Sequence, residues 1–135
     1  MDVFNEEKRS WIMSRVKNKD TKPEIVVRSI VHRLGYRFRK SNSSLPGRPD
    51  IVLARHRKVI FVHGCFWHGH KQCKRALRPT TNKKFWNKKL DANIVRDKHN
   101  NKELKYLGWK ILIVWECQTR DQDKLLPKLE SFLKT

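Results

Sequence analysis

Apolar positions along the chain fall into two periods. Val26, Val27, Ile30, Val31 and Leu34 recur at the spacing of one helix face. That helix is opened by Thr21-Lys22-Pro23-Glu24, where the Thr21 hydroxyl and Glu24 carboxylate suit a capping box, and it is closed by Gly35. Ahead of it, Asn5 to Lys17 reads as a short helix carrying Trp11, Ile12, Met13 and Val16 among basic residues, then a turn at Asn18-Lys19-Asp20. Only part of that set shares a face, so this helix is expected to dock loosely or act as an arm. Tyr36 to Arg39 alternates as a strand does, and Asp50–Ala54 and Lys58–Val62 around Arg55-His56-Arg57 predict a hairpin. Asn82 is a candidate cap for a helix from about Lys83 to Leu107, with a break near Asp91 and a stop at Gly108. Trp109 to Trp115, the most apolar run, is expected to be the central strand, buried on both faces with its two tryptophans in the core. A helix from Asp121 to Leu133 closes the chain. The order α-α-β-β-β-α-β-α predicts an α/β sandwich around a mixed sheet. No repeat or linker divides it, so a single domain is expected over 1–135, with an arm at 1–20 and a core at 21–135.

Charge narrows the function. The 135 residues hold 32 Lys+Arg against 13 Asp+Glu, a formal net charge of +19, which calls for a polyanionic partner. From Lys74 to Lys105 there are 11 basic and 3 acidic residues, interleaved with Phe85 and Trp86, a composition suited to phosphates and stacked bases. No apolar run approaches the roughly 20 residues of a membrane span. The start, Met1 to Glu7, lacks the basic-then-apolar order of a secretory signal, so a cytoplasmic, nucleoid-associated protein is expected, with no membrane partner.

Three cysteines cannot all pair, and His63-Gly64-Cys65-Phe66-Trp67-His68-Gly69-His70-Lys71-Gln72-Cys73 packs three histidines and two cysteines into eleven positions. Cys65, His70 and Cys73, closed by Cys117 after the apolar strand, would supply a Cys₃His set for a structural Zn²⁺. The plainer alternative is three buried free thiols and solvent-facing histidines.

Leu45-Pro46-Gly47-Arg48-Pro49-Asp50 delivers a carboxylate to the start of a strand, and Glu24 stands in the first turn of the preceding helix. Carboxylates converging in this way suit Mg²⁺, which takes a few oxygens and keeps waters. The outline resembles the PD-(D/E)xK nuclease core. It departs where that core has an acidic-x-Lys triplet on its second strand, because this chain has Val62-His63-Gly64. A backbone carbonyl can still ligate metal, and His63 and His68 are candidates for the lysine's role in moving protons.

These segments, with Phe85-Trp86, Asn93, Arg96-Asp97 and Leu107-Gly108-Trp109 through Val114-Trp115-Glu116-Cys117, resemble the very short patch repair endonucleases in order from about Lys8 to Glu130. Those enzymes nick DNA 5′ to a thymine mispaired with guanine, the product of 5-methylcytosine deamination. The resemblance implies Mg²⁺ on Asp50 and the Val62 carbonyl, with Glu24 holding metal-bound water. It implies His68 near the scissile phosphate, His63 and Asp97 in support, and Zn²⁺ on Cys65, His70, Cys73 and Cys117. It makes Phe66, Trp67 and Trp86 a wedge entering from the major groove. Met13 and Val16 would press from the minor groove, with Asn93 also among the DNA contacts. The loop His70-Lys71-Gln72-Cys73 is one residue longer than the closest family pattern, which leaves His68 and His70 competing for the metal. The expected partner is double-stranded DNA with a T:G mismatch, bound by a monomer that works with mismatch-repair proteins. Two rivals remain: a zinc-stapled module that binds distorted DNA without catalysis, and an endonuclease of restriction–modification type acting on paired DNA.

Overall fold

Thr21 Oγ1 accepts from Glu24 N at 3.5 Å, and Pro23 suits the first turn, so helix α1 runs Lys22–Arg33 as the capping pattern predicts. The computed structural model describes residues 21–40 and 44–135. The predicted first helix, with Met13 and Val16, lies outside the described residues. After α1 come strands β1 (Arg39–Lys40), β2 (Ile51–Leu53) and β3 (Lys58–His63), a one-turn helix α2 (Cys65–His68), a long helix α3 (Lys83–Tyr106), strand β4 (Lys110–Trp115) and helix α4 (Gln122–Lys134).

The sheet is mixed, in the order β1-β2-β3-β4. β1, β2 and β3 pair antiparallel, whereas β3 and β4 run parallel. The expected hairpin is present, turned by Ala54–His56 and by Arg57 in the left-handed region. Two-residue alternation sorts the strands between two layers. Ile51, Leu53, Ile60 and Val114 pack with Val27, Ile30 and Val31 of α1 and Leu125, Leu129 and Leu133 of α4. Val52, Val59 and Phe61 pack on the other side with Leu104 of α3. Each such buried aliphatic contributes about 1.5–3 kcal/mol. Lys58, itself buried, donates from Nζ to the carbonyls of Phe132 and Leu133 at 2.9 Å each and so anchors the end of α4 to the sheet.

Three expectations are corrected here. Among the described residues β4 is an edge strand, and β2 and β3 are the interior ones. The apolar run at 109–115 covers only one neighbour, and Trp109, Ile111, Ile113 and Trp115 stay half-buried. α3 passes through Asp91 without a break, because Asp91 lies on its exposed face, where Arg78 Nη2 donates to it at 2.7 Å. Asn82 precedes α3 in the left-handed region and makes no side-chain cap.

Candidate active site and metal cluster

The parallel strands β3 and β4 end side by side, His63 opposite Trp115. The candidate residues gather beyond these carboxyl ends, the usual place for a site in a sheet with parallel strands. A turn through Pro46 and Gly47, closed by Arg48 N donating to Leu45 O at 3.1 Å, brings Pro49-Asp50 to the sheet. Gly47 has φ +75°, and a Cβ there would meet the Phe61 ring and Asn100 at 3.2 Å, so only glycine fits without strain. Val62 N then donates to Asp50 Oδ2 at 2.6 Å, pinning the carboxylate to β3. Burial raises the Asp50 pKa to about 6, against the lowering effect of the Val62 bond, and the nearby charge of Glu24 adds to the rise. Glu24 is buried and accepts from Arg28 Nη2 at 2.8 Å. Two neighbouring carboxyls, one of them with its charged form disfavoured by desolvation, are a donor set that a divalent cation would relieve.

Arg28 was not among the sequence candidates. Its signal was the i,i+4 spacing from Glu24, a pattern that usually marks a solvated surface pair. Here both partners are buried.

His63 and His68 stack with ring centroids 3.9 Å apart and planes 9° from parallel. Asp97 Oδ2 lies 2.7 Å from His68 Nδ1, which orients that ring and leaves Nε2 for chemistry. Burial, reinforced by the charge of His68, lowers the His63 pKa to about 4, so His63 stays neutral near pH 7. His63 Nδ1 is buried and has no hydrogen-bond partner among the described residues. Ligand atoms of His63, His68 and Asp97 lie within 4.8 Å of one another. Parallel stacked imidazoles, however, cannot both aim in-plane lone pairs at one ion, and the trio is better built for handling protons.

In the second cluster it is His70, not His68, that stands with the cysteines. α2 ends at Gly69, φ +66°, where a Cβ would come within 2.6 Å of Ile94 Cδ1. That left-handed step turns His70 away from His68. The ligand atoms of Cys65, His70, Cys73 and Cys117 all lie within 4.8 Å of one another. His70 Nδ1 is 3.5 Å from Cys117 Sγ. A tetrahedral ion with metal–sulfur bonds near 2.3 Å and metal–nitrogen bonds near 2.0–2.1 Å would separate those two atoms by about 3.6 Å. Burial pushes the Cys65 thiol up to about 12, a state that a coordinated dication reverses by taking the sulfur as thiolate. These residues fit a tetrahedral metal ion.

The aromatic residues divide. Phe66 and Trp67 on α2 are half-buried, and Lys89 Nζ lies 5.2 Å from the Trp67 ring centroid. Trp86 is only 1% exposed, which corrects its place in a free wedge. It opens an inward stripe along α3 in which Trp86, Leu90 and Leu104 are buried and Ile94, Asp97 and Asn101 half-buried, and it forms the floor beneath Phe66 at 5.7 Å and Trp67 at 6.2 Å. Asn93 is likewise engaged within the protein, donating from Nδ2 to the Trp67 carbonyl at 3.2 Å. Among the described residues, no helix is long and apolar enough to cross a membrane.

Comparison with known proteins identifies the family. A family model described as DNA mismatch endonuclease Vsr matches residues 1–75. The DNA mismatch endonuclease Vsr of Escherichia coli (strain K12) is 43% identical over 124 residues, 92% of this chain and 79% of that protein. The type II nicking enzyme V.XorIIP of Xanthomonas oryzae pv. oryzae is 42% identical over 132 residues, 98% of this chain and 96% of its own length. The type II nicking enzyme V.NmeAIP of Neisseria meningitidis serogroup A is 41% identical over 121 residues, 90% and 86% of the two chains.

Proposed function

The chain belongs to the Vsr family of DNA mismatch endonucleases and is a DNA endonuclease; from that premise we propose that it nicks duplex DNA 5′ to the thymine of a T:G mispair, using Mg²⁺. The observation that carries this reading is the convergence of a pinned, half-buried Asp50, the Glu24–Arg28 pair and the His68–Asp97 pair at one end of the sheet. Asp50 and the Val62 carbonyl would hold Mg²⁺, with Glu24 reaching it through water. The ion would supply Lewis-acid stabilisation of the phosphate and lower the pKa of water. Asp97 fixes the His68 ring so that Nε2 can take a proton from the attacking water. His63, neutral and stacked beneath, keeps that ring from swinging and adds no competing charge. A PD-(D/E)xK-like core, acting as one domain, accommodates this arrangement with histidine in the lysine's role.

The partner is DNA, and the net charge of +19 supplies its sequence-independent attraction. Mismatch choice is assigned to Phe66 and Trp67. A wobble pair is stacked less well than a Watson–Crick pair, so opening it costs less of the few kcal/mol that unstacking takes. Trp86 stiffens the wedge from below. Zn²⁺ on Cys65, His70, Cys73 and Cys117 would hold this loop on the sheet in a structural role, since four protein ligands leave no open position.

The test is nicking of duplexes that differ only at one pair, with and without Mg²⁺. Nicking confined to T:G and dependent on Mg²⁺ is expected. Equal nicking of paired DNA would favour a restriction–modification role, and binding without cleavage would favour a recognition module.

The two tryptophans are expected to respond differently. Trp86→Ala should lower stability in urea denaturation by about 3–5 kcal/mol, as for other core aromatics. Trp67→Ala should leave stability within about 1 kcal/mol yet weaken binding to T:G duplexes by about 1–3 kcal/mol, the value of one base–aromatic stack.

A further inference from the structure

The Cys/His cluster has a neighbour that the catalytic reading leaves unused. Lys128, on α4, is half-buried, and its Nζ donates to Gln118 Oε1 at 3.0 Å and to the Ile113 carbonyl at 3.2 Å. Gln118 Oε1 accepts a second bond, from Trp115 N, also at 3.0 Å. One amide oxygen therefore ties α4 to the end of β4, two residues before Cys117. The Trp115 ring in turn stacks on His70, with centroids 4.3 Å apart and planes 11° from parallel. Two of the four ligands, Cys117 and His70, thus depend on a segment that Lys128 and Gln118 hold in place.

Charge points to the same residue. Three thiolates and a neutral imidazole around a divalent ion leave a net charge of −1, which in a partly buried site needs a fixed counter-charge. Lys71, Lys74 and Arg75 lie in the same loop but are exposed, whereas Lys128 is held by two hydrogen bonds against the segment that carries Cys117.

We propose that Lys128 is a positioning residue for the Cys65–His70–Cys73–Cys117 metal site, offsetting its negative charge and, through Gln118, fixing the turn that presents Cys117. This rests on the zinc reading above. Outer-sphere partners of this kind commonly govern metal affinity by about 10–100-fold.

The experiment loads the full chain with Zn²⁺ and follows its transfer to excess 4-(2-pyridylazo)resorcinol, which is both chelator and indicator. Lys128→Met should give up zinc at least about tenfold more readily than the unsubstituted chain. Lys128→Arg, which keeps charge and donors, should stay near the unsubstituted value, and Gln118→Ala, which keeps the charge but cuts the bridge, should fall between. Zinc retention unchanged in both Lys128→Met and Gln118→Ala overturns the proposal while leaving the zinc site standing. Loss in Lys128→Arg equal to that in Lys128→Met overturns the charge-and-donor account. An unsubstituted chain that takes up no zinc removes the underlying reading and this proposal with it. Should Lys128→Met not fold, the Lys128→Arg and Gln118→Ala pair decides alone.

Discussion

Asp50→Asn is expected to abolish nicking and at the same time to make the protein more stable. The loss of activity follows from removing the carboxylate proposed to hold the catalytic ion. Metal stabilisation of a transferring phosphate is worth several kcal/mol, so a fall of at least about a thousandfold is expected in a single-turnover nicking assay. The gain in stability follows from the same burial that makes the site work. Raising an aspartate from 3.8 to about 6 corresponds to about 3 kcal/mol of destabilisation when the group is charged at pH 7. Asparagine keeps an oxygen for the Val62 N–H and sheds the charge. A gain of roughly 1–3 kcal/mol should appear in urea denaturation at pH 7 without added Mg²⁺. An unchanged or lower stability would mean that Asp50 is not held in a desolvated, acid-crowded place.

The pH dependence sharpens this test. Between pH 3.8 and about 6 the folded chain keeps an Asp50 proton that the unfolded chain has released, so this group's contribution falls as pH rises through that window. His63 behaves oppositely. Its pKa is lowered from 6.5 to about 4, so between those values the unfolded chain binds the extra proton and stability falls as pH drops. The two effects nearly cancel in the unsubstituted chain. In Asp50→Asn the offsetting contribution is gone, and stability should decline toward acid, His63 by itself contributing up to about 1.4 kcal/mol per pH unit between pH 6.5 and 4.

Cys117→Ser is expected to cost stability on the scale of a lost core aromatic, but through the metal. Serine oxygen is a poor ligand for a soft tetrahedral site, and the three remaining donors would no longer close the cluster. Zinc contributes about 10–16 kcal/mol in small domains that fold only with metal. This chain has a hydrophobic core on each face of its sheet, so only the loop from α2 toward α3 and the end of β4 depend on the ion. A loss of about 3–5 kcal/mol is expected, lowering the thermal transition by roughly 10–20 °C. Chelator-stripped protein should melt where Cys117→Ser does, and stripping the variant should change nothing further. A variant that melts with the unsubstituted chain would show that the four residues do not bind a structural ion. His68→Ala provides the contrast, since it belongs to the other cluster and should leave the metal-dependent part of the transition intact.

How much of this was legible beforehand differs from element to element. α1 was readable because its cap, its apolar stripe and its stop are all local, and the β2–β3 hairpin was readable because a three-residue turn leaves the two strands no other partner. Trp86 shows the limit. Its lysine and asparagine neighbours argued for exposure, but the i,i+4 series Trp86, Leu90, Ile94 already placed it on the inner stripe of α3. Asp97 stands on that same stripe, half-buried, where it meets His68 rather than the core.

The order of residues alone gave the three longest described helices, the hairpin and the apolar strand after Gly108, and it marked Asp50 and the Cys/His-rich loop as candidates. It did so because caps and periodicities act over a few residues, where backbone geometry leaves little freedom. The allocation came from the folded chain: His70 to the cysteines and His68 to Asp97, Arg28 to Glu24, Trp86 to the interior, β4 to the edge, Lys128 to the turn of Cys117. Those pairings join residues far apart along the chain, and they depend on how layers stack and on one left-handed turn at Gly69, which no local pattern specifies.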